Sequence, residues 1–200
     1  FNTPRLKDID LSKAKSIGAG AFSGDVLYEF RDINMSEINI DENREYVYRY
    51  YAPALVAEDI SSAESIGVGA FEFCRELTSI KLGDAITEIP ERCFNYCVKL
   101  TDIDLSGIET VGDSAFCEAA LTEIDLTSVE NISKYAFVNN RNLTKVILGD
   151  EEIILGEGAF SYCEKLSEVV NLANVSEVGS YSFAYTALVS ADLTGAVKIG

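Results

Sequence analysis

Apolar positions recur along the chain in a regular pattern whose clearest member is a small residue followed by Phe. From Phe71 onward, the phenylalanines of these pairs lie 23, 22, 21, 23 and 23 residues apart. A period of about 20 to 29 residues with apolar positions in fixed phase is typical of a solenoid, in which each repeat buries its apolar face against its neighbours. The pairs are Ala21-Phe22, Ala70-Phe71, Cys93-Phe94, Ala115-Phe116, Ala136-Phe137, Ala159-Phe160 and Ser182-Phe183.

The first part of each repeat alternates apolar and polar residues in the manner of a half-buried strand. In the repeat that begins at Leu100, Ile103 and Leu105 alternate with Asp102 and Asp104. Successive side chains of a strand point to opposite faces, so this alternation predicts one buried and one exposed face. Stacking of the repeats then predicts one parallel sheet along the solenoid.

The second part of each repeat carries an apolar residue and Gly, with Phe four residues after the Gly. Pro90 and Ser133 replace this Gly in two repeats, and because Pro cannot adopt a positive φ, the position does not require a left-handed backbone. Ala115, Phe116 and Leu121 then fall on one face of a helix, which predicts a short helical or 3₁₀ segment. The predicted fold class is α/β, a solenoid of about 22–23 residues per repeat with one parallel sheet face and short helical segments.

Stretches such as residues 66–82 and 111–126 combine these features, and they resemble the BspA-like (Treponema-type) leucine-rich repeat. The resemblance implies a right-handed leucine-rich-repeat solenoid on the surface of a bacterium or a parasitic protist. It further implies an adhesin that binds a protein or glycan of a host or neighbouring cell, outside the cell or at its surface. The family has no shared catalytic residues, so the resemblance assigns no site residue.

The repeats predict a single solenoid segment over residues 1–200, with a degenerate or inserted stretch at about 23–59. The gap from Phe22 to Phe71 is 49 residues. One interpretation is a degenerate repeat with Tyr50 in place of Phe, and the other is a protruding hairpin with strands near 35–40 and 45–51. Since the chain begins and ends within repeats, we also expect it to be part of a longer array.

This irregular stretch is also a candidate contact surface, because Tyr and Arg are enriched at binding hot spots. An alternative is that its alternate tyrosines pack against the sheet. The candidate partner-binding residues here are Tyr46, Tyr48, Tyr50, Tyr51 and Arg49.

The charge of the chain disfavours two classes of partner. The net charge is −17, from 16 basic and 33 acidic residues, and such a surface repels phosphate backbones and anionic bilayers. No apolar run approaches the length of a membrane span. We therefore expect no nucleic-acid binding and no membrane insertion.

The outward positions of successive strands form a second candidate surface. Because neighbouring strands lie about 4.8 Å apart, we expect four of these carboxylates to form a tight acidic square that faces a basic partner. A calcium ion is an alternative occupant, although no calcium-binding loop accompanies it, and a merely solvated face is another. The candidate partner-binding residues of this face are Asp102, Asp104, Glu123, Asp125, Lys145 and Glu168.

The chain lacks the usual residues of catalysis and metal binding. It has 5 cysteines and no histidine, so the common general base, the usual triads and a zinc site are disfavoured. The cysteines are expected to be buried free thiols that pack as small apolar side chains, with a Cys74–Cys97 disulfide as the alternative. No enzyme activity, catalytic residue, metal or cofactor is predicted. The primary hypothesis is a recognition module, and the alternative is a structural spacer that presents another domain.

Overall fold

The computed structural model describes residues 10–23 and 55–200. In these ranges the chain forms stacked coils of short strands and turns, with one 3₁₀ helix at Leu172–Asn174. The strands are β1 (Ser16–Ile17), β2 (Ala57–Asp59), β3 (Ser65–Ile66), β4 (Ser79–Lys81), β5 (Glu88–Ile89), β6 (Asp102–Ile103), β7 (Thr110–Val111), β8 (Glu123–Leu126), β9 (Asn131–Ile132), β10 (Lys145–Leu148), β11 (Ile153–Leu155), β12 (Glu168–Val170), β13 (Val175–Val178) and β14 (Lys198–Ile199).

The coils contribute strands to two parallel ladders, so the prediction of one sheet face was wrong. The first ladder contains the predicted strands and is divided into two sheets, β2-β4-β6 and β8-β10-β12. The second ladder, which the alternation of apolar residues did not reveal, uses the two residues before each Gly position. It comprises the pair β1-β3 and the six-stranded sheet β5-β7-β9-β11-β13-β14.

The segment around each Phe is a stacked turn rather than the predicted helix. The N–H of Phe116 donates to the Ala136 carbonyl of the next repeat at 2.8 Å, whereas the N–H of Cys117 donates back to Ser114 at 3.2 Å. Ser114 and Glu118 have φ values of 56° and 58°, and left-handed residues cannot continue a right-handed helix. Alternate N–H groups thus bond between repeats and form a third backbone ladder along the solenoid.

The Gly position before this turn is selected for space. Gly112 has no positive φ, which confirms that the position does not need a left-handed backbone. A Cβ atom built on Gly112 would lie 2.6 Å from the backbone nitrogen of Glu91 in the preceding repeat. The neighbouring backbones therefore approach too closely for an unshifted side chain at this residue.

The predicted column of phenylalanine rings is confirmed. Neighbouring rings from Phe22 to Phe183 stack with centroids 5.2 to 5.8 Å apart and interplanar angles of 4 to 22°. The five rings from Phe71 to Phe160 have no exposed surface. Complete burial of a Phe side chain contributes about 1.5–3 kcal/mol, so the column is a large part of the apolar contact between repeats.

The ring column is continuous across the long gap in the repeat pattern near the start of the chain. Phe22 stacks directly on Phe71 at 5.4 Å, and its N–H donates to the Ala70 carbonyl at 2.7 Å. No other ring therefore lies between these two in the column. The degenerate-repeat interpretation concerns residues outside the described part of the chain, and it stays a prediction. The hairpin interpretation concerns residues that lie outside the described part of the chain.

Pro90 interrupts the second ladder at one junction. At equivalent positions the N–H of Gly67 donates to Ile17 at 2.7 Å, and that of Gly112 donates to Ile89 at 2.8 Å. Pro has no N–H to donate, and β3 is not paired with β5. Phe71 and Phe94 still stack at 5.5 Å across this junction, so the column compensates for the missing pairing.

Replacing a central ring tests whether the column holds the repeats together. We expect Phe116→Ala to lower the free energy of unfolding by about 3–5 kcal/mol, because it leaves a cavity between two buried rings. Urea denaturation measures this loss, and hydrogen exchange should locate the first weakening in the adjacent repeats. Tyr181→Ala is the control, since this side chain is 74% exposed; an equal loss in both variants would contradict the role of the column.

Candidate functional site

Four exposed carboxylates on the first ladder form a surface that we call the acidic face: Asp102, Asp104, Glu123 and Asp125. Asp102 lies in register with Ser79, and Glu123 lies in register with Lys145. However, β6 and β8 are not paired. The four carboxylates were expected to form a square on two paired strands. They instead form two pairs, which lie on the edges of two separate sheets.

The other two predicted residues of this face neutralise each other. Lys145 lies in register between Glu123 and Glu168, and its ammonium group is 3.0 Å from a Glu168 carboxylate oxygen. Because Lys145 is engaged in this ion pair, the charges of the acidic face are left without an equal number of basic neighbours. The face therefore presents a negative potential to solvent.

Two carboxylates of the acidic face also shape the backbone. Asp104 Oδ1 accepts the N–H of Ser106 at 2.9 Å, and Asp125 Oδ1 accepts the N–H of Thr127 at 3.0 Å. Such Asx turns fix the direction in which the chain leaves a strand. The recurring Asp-Leu/Ile-Ser/Thr triplet is a sequence signal that the search for partner-binding residues missed. The same bond forms at Asp10, Asp59 and Asp192.

Hydrogen bonds from the turns favour the ionised form of Asp104 in the acidic face and of Asp59 two repeats earlier. The backbone N–H and the hydroxyl of Ser106 lower the pKa of Asp104. The Ser61 hydroxyl and backbone N–H likewise lower the pKa of Asp59. A carboxylate that accepts such bonds is stabilised in its charged form. The lowered pKa of Asp104 therefore favours the charged form of this member of the acidic face.

The acidic face does not form a metal site. Among residues 10–23 and 55–200, no group of three or more His, Cys, Asp or Glu side chains is placed to hold a metal ion. Calcium prefers six to eight oxygen ligands. The calcium alternative therefore receives no support from the geometry of these strands.

A shallow acidic pocket of about 310 Å³ lies away from the acidic face. It forms where the repeats at 148–155 and 166–172 each carry one additional residue. The additional residue between Leu166 and Leu172 is accommodated at Asn171, which has a φ of 62°. One additional residue in a strand is typical of a β-bulge. The pocket is lined by Asp150, Glu151, Glu152, Ala173, Asn174, Ser176, Gly195 and Val197.

The cysteines are free thiols, as expected, but three of them do more than fill space. The thiols of Cys74, Cys97 and Cys163 donate to the carbonyl of the Phe one repeat earlier, at 3.4, 3.2 and 3.2 Å. Asn140 occupies the same position and donates to Phe116 at 2.7 Å. The position therefore selects a small hydrogen-bond donor, and the expectation of purely apolar packing was incomplete.

Exposed aromatic residues occur on the stacked turns, where no sequence pattern predicted them. Tyr162 and Tyr185 stack with centroids 4.5 Å apart, and the hydroxyl of Tyr135 donates to Glu157 at 2.6 Å. The predicted partner-binding residues Tyr46, Tyr48, Tyr50, Tyr51 and Arg49 lie outside the described part of the chain.

Comparison with known proteins identifies the repeat. The model of the BspA type leucine rich repeat region matches in 6 copies, over residues 1–106, 45–149 and 100–200. A solved leucine-rich-repeat protein of T. pallidum is 25% identical with a TM-score of 0.59, and the match covers 82% of this chain and 65% of that one. One from Bacteroides ovatus is 20% identical with a TM-score of 0.50, and the match covers 67% and 42% respectively.

This chain therefore spans less than two thirds of the length of either solved structure. None of the curated proteins compared with it matches significantly. Within the described residues, no helix is long and apolar enough to cross a bilayer.

The burial of the thiols predicts low reactivity. Desolvation raises the pKa of Cys74, Cys117 and Cys163 to about 12, and the thiolate is the nucleophile. We expect the folded protein to react very slowly with an aromatic disulfide reagent at about pH 8, whereas all 5 cysteines should react in denaturant. Rapid reaction of the folded protein with the reagent would contradict the burial of these thiols.

The Asx turns predict an acid-sensitive contribution to stability. Since the pKa of Asp104 is lowered from 3.8 in the fold, its ionised form stabilises the protein above about pH 4. This contribution is lost as the pH falls through the lowered pKa. Carboxyl NMR titration should give Asp104 a pKa below 3.8. Ser106→Ala, which removes the hydroxyl but keeps the N–H, should restore only part of the shift.

Proposed function

The chain belongs to the BspA-type leucine-rich-repeat family, and we propose that it is a non-catalytic recognition module of a secreted or cell-surface protein. The acidic face is its docking surface, and its partner is a basic protein surface on a host or neighbouring cell. The location at the cell surface rests on the resemblance to the family rather than on a feature of the coordinates.

The observation that carries the proposal is the position of four exposed carboxylates on a well-ordered apolar framework. Below Asp102 and Asp104, the side chains of Ile103 and Leu105 are 9% and 2% exposed. Two of the four carboxylates are also oriented by Asx turns. Within each pair, a carboxylate oriented by its turn loses little conformational entropy on binding, which favours a specific contact over general attraction.

The charge of the whole molecule supports the same class of partner. A net charge of −17 accelerates encounters with basic surfaces and suppresses those with acidic ones. The ion pair between Lys145 and Glu168 engages the cation that lies in register with Glu123. On this face a basic partner therefore contacts more carboxylates than basic residues.

Neutralising the acidic face tests the proposal while preserving the turns. The variant combines Asp102→Asn, Asp104→Asn, Glu123→Gln and Asp125→Asn, because Asn can still accept the turn hydrogen bond. We expect its affinity for a lysine-rich peptide, measured by fluorescence anisotropy at physiological salt, to fall by about tenfold or more. Adhesion to cells and to immobilised matrix proteins should decrease in parallel.

A variant of equal net charge provides the control. It combines Asp84→Asn, Glu109→Gln, Glu130→Gln and Glu151→Gln, four exposed acids outside the acidic face. Equal weakening of both variants would show general charge attraction and contradict a specific surface. Unchanged adhesion in both variants would favour the structural spacer, and a glycan-array signal that survives neutralisation would assign a glycan instead.

A further inference from the structure

We propose that the junction between β6 and β8 is a hinge, at which the acidic face opens and closes while the phenylalanine column keeps the repeats together. This inference goes beyond the proposed function, because it concerns a motion of the solenoid that exists without a partner. It rests on a difference in turn length that recurs at two places.

The turn from each Phe to the Leu that starts the next repeat has two lengths. In two turns the Leu follows the Phe by five residues: Phe116 to Leu121 and Phe183 to Leu188. The other repeats after the first have six-residue turns. These are Phe71 to Leu77, Phe94 to Leu100, Phe137 to Leu143 and Phe160 to Leu166.

A six-residue turn starts the first ladder with two hydrogen bonds. The N–H of Leu100 donates back to Cys97 at 2.9 Å, which completes the turn. The N–H of the next residue, Thr101, then donates to Thr78 of the preceding repeat at 3.1 Å. The equivalent pair of bonds follows the six-residue turns at Leu143 and Leu166.

A five-residue turn shifts this bond by one position. At the first such turn the N–H of Ala120, the residue before Leu121, donates to Leu100 at 3.1 Å. The N–H of Thr122, which should start the ladder, has no backbone partner in the part of the chain that the structure describes. This shifted bond accompanies the absence of pairing between β6 and β8.

The second five-residue turn shows the same change independently. The N–H of Ala187, directly before Leu188, donates to Leu166 at 2.9 Å. Residues 188–193 form no strand, and their sheet ends at β12. The shorter turn, and not a feature peculiar to one repeat, therefore accompanies the interruption.

The remaining contacts at the β6–β8 junction define how it can move. The second ladder is intact there, with Thr110 in register with Asn131. Phe116 and Phe137 stack at 5.3 Å, and the Phe116 N–H bonds to the next repeat. Beyond the ends of β6 and β8, the exposed Ser128 hydroxyl also donates to the Ser106 carbonyl at 2.6 Å. Opening of the acidic face therefore breaks this bond and rotates the repeats about the second ladder and the phenylalanine column.

Repulsion between carboxylates favours the open conformation of the junction. Asp102 and Asp104 lie on one edge of the junction, and Glu123 and Asp125 lie on the other. Like charges on adjacent strands destabilise pairing, so the carboxylates and the short turn act in the same direction. High salt screens such repulsion between exposed groups but leaves the turn length unchanged.

Native-state hydrogen exchange of the full chain tests the hinge without any mutation. We expect the amides of Ile103, Thr122 and Glu123 to exchange through local opening about tenfold faster than those of Ile80, Thr144 and Lys145. The latter occupy equivalent positions beside six-residue turns. Equal protection of the two groups would overturn the proposal, because the interrupted ladder would then be as closed as the continuous one.

A pair of length variants tests the cause. Insertion of one Lys after Ala120 creates a six-residue turn, and it should slow exchange at Thr122 by about fivefold or more by restoring a backbone bond. Deletion of Lys99 creates a five-residue turn in the preceding repeat and should accelerate exchange at Thr101. If the insertion has no effect, while Asp104→Asn with Asp125→Asn slows exchange, charge rather than turn length controls the junction and the proposed cause fails.

Discussion

The structure depends on the close stacking of equivalent residues, with phenylalanine rings 5.2 to 5.8 Å apart along the axis. This spacing is near the distance between neighbouring strands in a sheet, so ring stacking and backbone pairing favour the same separation. Three backbone ladders and the ring column therefore act in parallel. Because no junction relies on one of them alone, Pro90 can interrupt the second ladder and the turn after Phe116 can interrupt the first.

This redundancy explains where the solenoid accepts changes of length. The turn from Phe to the next Leu contains five or six residues in most repeats, but 33 residues separate Phe22 from Leu55. The stack nevertheless continues from Phe22 to Phe71. A surface turn tolerates insertions because its backbone is not buried. The proposed hinge thus lies at the position in the repeat where the sequence varies most in length.

The sequence predicted features that depend on side-chain burial and missed those that depend on the backbone. The column of Phe rings and the strand at Ile103 followed from apolar spacing, and the substitution Pro90 correctly excluded a left-handed Gly position. The prediction of a helix around Phe116 was wrong. In the stacked turn, N–H groups bond alternately within a repeat and to the next repeat, and the apolar residues of such a turn have the same spacing as those on one face of a helix. The divided acidic face was missed because a one-residue change of turn length alters pairing without changing any apolar position. The Asx turns at Asp104 and Asp125 have a recognisable sequence triplet, but the prediction assigned these two residues a role in binding only.

The proposed docking surface and the proposed hinge together constrain how a partner would act on this protein. A ligand shifts a conformational equilibrium only through a difference in affinity between the two states. A basic segment that contacts Asp104 alone has the same contacts in the open and closed states, so it cannot move the hinge. A segment that also reaches Asp125 screens the repulsion across the junction and is held more tightly when the edges are close. The position of the carboxylates on both sides of an unpaired junction therefore distinguishes partners by their length, in addition to their charge.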